Sequence, residues 1–117
     1  MQDGSGLSPR NGLTPFQLTN MLYTISKDST WFSTFYQSLP VSGLTGTMKG
    51  MFKSHTDAVG KIRAKSGTLT RVRAYSGYAT TAEGRLIIFS IIANNFTCSQ
   101  RDIRKKLEDF MAELVRL

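Results

Sequence analysis

A chain of 117 residues, 40% of them hydrophobic and including seven Phe, four Tyr and one Trp, has enough apolar side chain for one domain with a buried core. Its composition excludes the disordered class, and the longest apolar run, Leu86 to Ala93, contains Ser90 and is too short to cross a bilayer. The formal charge of +7 is concentrated: Lys61, Arg63, Lys65, Arg71 and Arg73 fall within thirteen residues that hold no acid. Such a patch suits nucleic-acid phosphates, an acidic polymer or a small carboxylate, and charge alone does not choose among them. The single Cys98 excludes an internal disulfide and a Cys-rich metal site. His55, also single, reads as a solvated surface residue without a catalytic role, and no metal or cofactor site is expected. The start, Met1-Gln2-Asp3, has neither a basic nor an apolar leader segment, so no secretory signal is expected in these residues.

In chain order, Asp3 to Gly12 is rich in turn formers and reads as a loop. Thr14, Pro15 and Gln17 then form a helix start, an N-cap, a first-position proline and a Thr-x-x-Gln capping box, with Leu13 and Leu18 spaced as a hydrophobic staple. Leu18, Met21, Leu22 and Ile25 make one apolar stripe that predicts a buried helix face. Ser29 is placed to cap a second short helix whose Trp31, Phe32, Phe35 and Tyr36 read as core. From Leu39 to Gly60 periodicity disappears; a segment of this kind in a small domain is functional or packed over a site. It lacks a Gly-x-x-x-x-Gly-Lys-Ser/Thr string, which excludes a phosphate loop of that type.

Three strands are predicted at Lys61 to Thr68, Thr70 to Thr80 and Arg85 to Asn94, with Glu83-Gly84 turning between the last two. Val72, Ala74, Ser76 and Tyr78 alternate with Arg71, Arg73, Tyr75 and Gly77, as in a strand with two unlike faces. The continuous run from Leu86 to Ile92 predicts a strand covered on both sides. Ser99 and Asp102 mark a last helix with Ile103, Leu107, Phe110, Met111, Leu114 and Val115 as its buried stripe. The expected fold is α/β (α+β), an antiparallel sheet of about three strands covered by helices, in one domain over residues 1–117.

The string that carries chemistry is Lys65-Ser66-Gly67-Thr68, at the end of a basic strand free to be an edge. An edge strand can receive an extended peptide through main-chain hydrogen bonds. Lys65 adds a positive charge, Ser66 a hydroxyl donor for a carboxylate, Gly67 room for close approach, and the Thr68 N–H a donor for a developing oxyanion. Pleating sends Lys65 and Ser66 to opposite faces, so both serve one ligand only if the strand twists or the ligand runs along its edge.

Several strings in order resemble the penicillin-binding D-alanyl-D-alanine carboxypeptidases and endopeptidases of the low-molecular-mass class C type. They are Asp3-Gly4-Ser5-Gly6-Leu7-Ser8 with Asn11 and Thr14-Pro15, and Leu39-Pro40-Val41-Ser42-Gly43 with Gly46-Thr47-Met48. Ala64 to Leu69 is similar to the family's third motif, usually Lys-Thr-Gly, with Ser66 in place of Thr; Ser76-Gly77-Tyr78, Gly84-Arg85-Leu86 and Asn94 complete the match. The resemblance implies the C-terminal portion of a β-lactamase/transpeptidase-like catalytic domain that releases terminal D-Ala through an acyl-enzyme. It implies Lys65, Ser66, Gly67 and Thr68 as substrate-binding residues, with Lys65 and Thr68 also catalytic. It further implies peptidoglycan peptides ending in D-Ala-D-Ala and β-lactams as partners, the cell envelope as location with a membrane surface within reach of the intact protein, and no nucleic acid or cofactor.

Two family motifs are missing. No lysine has serine three positions before it, and no asparagine has serine two before it. In the family both lie upstream of the Asp-Gly-Ser-Gly segment, so their absence is what truncation before Met1 would produce, with genuine loss of the motifs as the alternative. Ser5 and Ser8 lack the glycine elbow of a nucleophile and read as turn formers. The chain alone is therefore expected to be inactive, and exposed surface where the missing part packs favours self-association. The alternative function is a non-catalytic basic module that binds peptidoglycan or nucleic acid.

Overall fold

The computed structural model describes residues 14–28, 30–69 and 71–117. The expected loop at Asp3 to Gly12, the Leu13 half of the staple and the Ser29 cap lie outside them. Helix α1 spans Pro15–Ser26 and begins as its sequence demands: the Thr14 side chain accepts from the Gln17 N–H at 3.1 Å, and the Gln17 side chain accepts from the Thr14 N–H at 2.9 Å. Helix α2, Phe32–Ser38, starts after Asp28, whose carboxylate accepts from the N–H groups of Thr30 and Trp31.

Strands β1 (Ile62–Leu69), β2 (Val72–Thr80) and β3 (Leu86–Asn94) form an antiparallel meander in the order β1-β2-β3. Lys65 pairs with Ser76 and Gly67 with Ala74, and β2 continues this register onto Ser90 and Ile92. Gly84, at a φ of 86°, makes the turn into β3 as expected. Helix α3, Gln100–Val115, opens on Ser99, whose hydroxyl accepts from the Asp102 N–H at 3.1 Å.

The sheet separates two apolar clusters by side-chain parity. On one face Ile62, Ala64, Tyr75, Ala79 and Phe89 pack with Leu107, Met111, Ala112 and Val115 of α3 and with Met48, Met51 and Phe52 of the loop. On the other, Tyr78 packs with Leu22 and Leu39, with Phe32, Phe35 and Tyr36 around it. Burial of each large apolar side chain contributes roughly 1.5–3 kcal/mol, so these two layers set the fold. Tyr78 is fully buried, its hydroxyl donates to the Leu22 carbonyl of α1 at 2.7 Å, and burial raises its pKa above the ordinary tyrosine value.

The segment 39–60 is compact, with 3-10 turns at Gly46–Met48 and Thr56–Ala58. Ser42, fully buried, donates to the Ala58 carbonyl at 2.7 Å and accepts from the Ile62 N–H at 3.1 Å, tying the segment to β1.

Four sequence expectations are corrected. The α1 stripe is buried only at Leu22, and Met21 is 51% exposed, because α1 packs on β3 and β2 and stands away from β1. Trp31 is 66% exposed, since it precedes α2 and α2 turns Phe32, Phe35 and Tyr36 toward Tyr78 instead. Phe110 is 52% exposed, because α3 turns Leu107, Met111, Ala112 and Val115 toward the core and leaves Phe110 outside it. Along β3 only Phe89 is buried and its neighbours are half-buried, because β3 is an edge of the described sheet.

His55 also differs from a solvated surface residue. Its ring is 18% exposed, with Nε2 2.7 Å from Asp109 Oδ1 and Nδ1 3.0 Å from Arg116 Nη2. Because a guanidinium only donates, Nδ1 accepts and the proton sits on Nε2, facing the carboxylate.

Candidate functional site

The outer edge of β1 is occupied over half its length. The Ser42 N–H donates to the Ile62 carbonyl at 2.8 Å, the Ala64 N–H donates to the Pro40 carbonyl at 3.1 Å, and Val41 bridges Arg63. The strap formed by Pro40 to Ser42 does not continue past Ala64. Strand alternation therefore turns the N–H and C=O of Ser66 and the N–H of Thr68 outward, on the half of the edge that no other strand or strap among the described residues pairs with. All four residues singled out by sequence, Lys65, Ser66, Gly67 and Thr68, lie on this half.

Pleating divides their side chains as expected. Ser66 lies on the α3 face and donates to Thr47 Oγ1 at 3.1 Å, which holds its hydroxyl beside the Gly46–Met48 turn. Lys65 and Gly67 lie on the α1–α2 face, where the Lys65 Nζ donates to the Ser66 carbonyl at 3.1 Å. A Cβ added at Gly67 would meet nothing within 4 Å, so this point of the edge is open to close approach.

Beside the edge is a cavity of about 480 Å³. Leu18 and Met21 of α1, Phe35 of α2 and Leu39 form apolar walls, Ala74 and Ser76 of β2 form the floor, and Lys65, Ser66 and Gly67 form the rim. Ser76 is hydrogen-bonded across the sheet to Ser90 at 2.8 Å. The arrangement joins an extended binding edge, a cation and a hydroxyl to an apolar recess, which is the chemistry for holding a peptide by its terminal carboxylate.

The remaining cations of the basic segment are divided between the two faces. Arg63 stacks on Tyr36 of α2 at 4.7 Å, whereas Arg73 lies over Tyr75 and reaches Gln100 of α3. His55 is on the α3 side, away from the cavity. Sequence reasoning assigned no site role to Thr47 or to the cavity walls. The signal for Thr47 was its place in the Gly46-Thr47-Met48 string, but a contact across 19 residues has no local signature. Among the described residues no group of three His, Cys, Asp or Glu side chains gathers, and no helix is long and apolar enough to cross a membrane.

A D-alanyl-D-alanine carboxypeptidase of Actinomadura sp. (strain R39) is 37% identical over 99 residues, covering 80% of this chain and 18% of that protein. A penicillin-sensitive carboxypeptidase A of Dictyostelium discoideum is 36% identical over 109 residues, covering 86% of this chain and 20% of that protein. The chain thus spans about a fifth of the length of these relatives. The crystal structure of penicillin binding protein 4 from Haemophilus influenzae superposes with a TM-score of 0.82 at 26% identity, over 100% of this chain and 27% of that one. The same protein complexed with a β-lactam gives a TM-score of 0.83 at 25% identity, over 98% of this chain and 28% of that one. The sequence profile of the D-Ala-D-Ala carboxypeptidase 3 (S13) family matches residues 1–114, and the chain belongs to that family.

Proposed function

We propose that this chain is the C-terminal portion of the catalytic domain of a serine-type D-Ala-D-Ala carboxypeptidase and supplies its carboxylate-binding edge. The observation that supports this most directly is the uncovered half of β1, with Lys65, Ser66 and Gly67 on the rim of the adjoining cavity. The substrate's C-terminal D-Ala lies along this half-edge as a further strand. Lys65 attracts the terminal carboxylate and Ser66 donates a hydrogen bond to it; charge assistance shortens and strengthens such bonds. The Thr68 N–H faces the carbonyl oxygen on which negative charge develops, and Gly67 lets that carbonyl approach. The nucleophilic serine and its lysine belong to a part of the protein outside these residues.

A peptidoglycan stem peptide ending in D-Ala-D-Ala is the substrate, and β-lactams are the mimics that occupy the same edge in the intact enzyme. That substrate places the enzyme in the cell envelope.

Two measurements test the proposal. Incubation of the chain with labelled penicillin followed by intact-mass analysis is expected to show no adduct, because the unit that attacks the carbonyl is absent; a stable adduct contradicts the division of labour. Titration with an N-acylated D-Ala-D-Ala peptide is expected to shift the amide resonances of residues 65–68, and the C-terminal amide of the same peptide is expected not to. Equal shifts from acid and amide would remove the carboxylate-binding role.

A further inference from the structure

A second, smaller recess of about 160 Å³ lies on the α3 side of the molecule, between Gly50–Met51 and the first two turns of α3. Arg101, Arg104, Lys105 and Glu108 line it, three cations to one carboxylate. Glu108 is engaged structurally: its Oε1 accepts from the N–H of Phe52, a buried residue held at a φ of 66°. The ion pairs of the described residues are Arg116–Asp57 and Arg116–Glu113, both toward the other end of α3, and neither includes a cation of the recess.

Arg101 lies in the first turn of α3 beside Asp102, and Arg104 and Lys105 lie in the second, so the helix dipole opposes Arg101 alone, while the three cations, spaced three and four apart, repel one another. A Cβ at Gly50 would sit at an ordinary contact distance, 3.8 Å, from the Arg104 guanidinium, so a longer side chain there would extend into the recess that Gly50 lines.

We propose that this recess binds a phosphate-class oxyanion. After Glu108 is counted the lining carries two net positive charges, which match the ~1.5–2 negative charges of a phosphate monoester near neutral pH. The two guanidiniums, three residues apart on α3, supply planar pairs of donors to its oxygens, with Lys105 as the third cation. Either free phosphate or the monoester headgroup of phosphatidic acid presents this chemistry.

The test is a titration of the isotopically labelled chain followed through its amide resonances, with inorganic phosphate and, as a monoanion control, acetate. Phosphate is expected to shift residues 50–51 and 101–105 saturably and acetate is not. Gly50→Leu, which fills the recess without changing charge, and the double variant Arg101→Gln/Arg104→Gln are each expected to weaken binding by about tenfold or more. Sedimentation with vesicles distinguishes the sources. Pelleting with vesicles containing phosphatidic acid but not with phosphatidylcholine alone, lost in both variants, assigns a lipid headgroup; saturation by phosphate without pelleting assigns a soluble phosphate. Shifts that rise without saturation, or that persist in a Gly50→Leu protein of unchanged circular dichroism or in the double variant, overturn the proposal.

Discussion

At Ser66 the family's usual threonine is replaced by serine, which keeps the hydroxyl and removes a methyl, and the retained oxygen is the atom that meets Thr47. The residue type was legible in the sequence because Lys-Ser-Gly-Thr brings charge, hydroxyl and open backbone together in four positions. Its partner was not legible, since a hydroxyl pair across a loop is a product of how that loop folds. Ser42 makes the same point more strongly: nothing local distinguishes it from the exposed serines, yet it is completely buried between Ala58 and Ile62. Ser42→Ala leaves the Ile62 N–H without its acceptor, and a buried unsatisfied donor costs about 1–3 kcal/mol. Chemical denaturation is expected to show a loss of that size; a neutral result would mean that the strap is not held to β1 through this hydroxyl.

At the level of elements, helix starts were readable and helix faces less so. Capping depends on residues within one turn, and both Thr14–Gln17 and Ser99–Asp102 formed as their spacing requires. Which side of a helix is buried depends on what lies opposite. For that reason Met21 lines a cavity instead of the core, and Phe110 is exposed where its spacing predicted burial. The sheet glycines divide by the same logic. A Cβ at Gly77 would lie 2.6 Å from the Ala64 Cα and nearer still to the Arg63 carbonyl oxygen, whereas one at Gly67 meets nothing. Gly77→Ala is expected to destabilise the chain by about 3 kcal/mol through overpacking, and Gly67→Ala to change stability by less than ~0.5 kcal/mol. Paired thermal melts and peptide titrations check both. If Gly67→Ala leaves stability and peptide binding untouched, the close-approach role of that edge is wrong.

Across the whole molecule, contacts between distant segments close the α3 side. Arg116 reaches Asp57 at 2.8 Å and Glu113 at 2.7 Å, and so joins the chain's end to the Thr56–Ala58 turn. Its hydrogen bond holds the Asp57 carboxyl below its ordinary pKa, and that bond in turn raises the guanidinium pKa. A carboxyl depressed on folding contributes stability above its unfolded pKa of about 3.9 and loses that contribution as pH falls through the folded value. Stability is therefore expected to decline below about pH 4, and Asp57→Asn to flatten part of that decline. The pair is exposed, so added salt should reduce the difference between the two proteins. Denaturation curves between pH 2 and 7 at two ionic strengths test this, and parallel curves for both proteins would remove Asp57 from the account.

The sequence by itself determined the meander, the starts of α1 and α3, the turn at Gly84 and the Lys65-to-Thr68 string. Each depends on residues within a few positions of one another, where sterics, capping and pleat periodicity act. Tertiary structure alone decided that half of β1 is covered by Pro40 to Ser42, that the basic residues are divided between two faces, and that cations of α3 face a recess beside Gly50. These outcomes rest on contacts between segments far apart in the chain, and such contacts form only where the packed helices, sheet and loop bring their surfaces together.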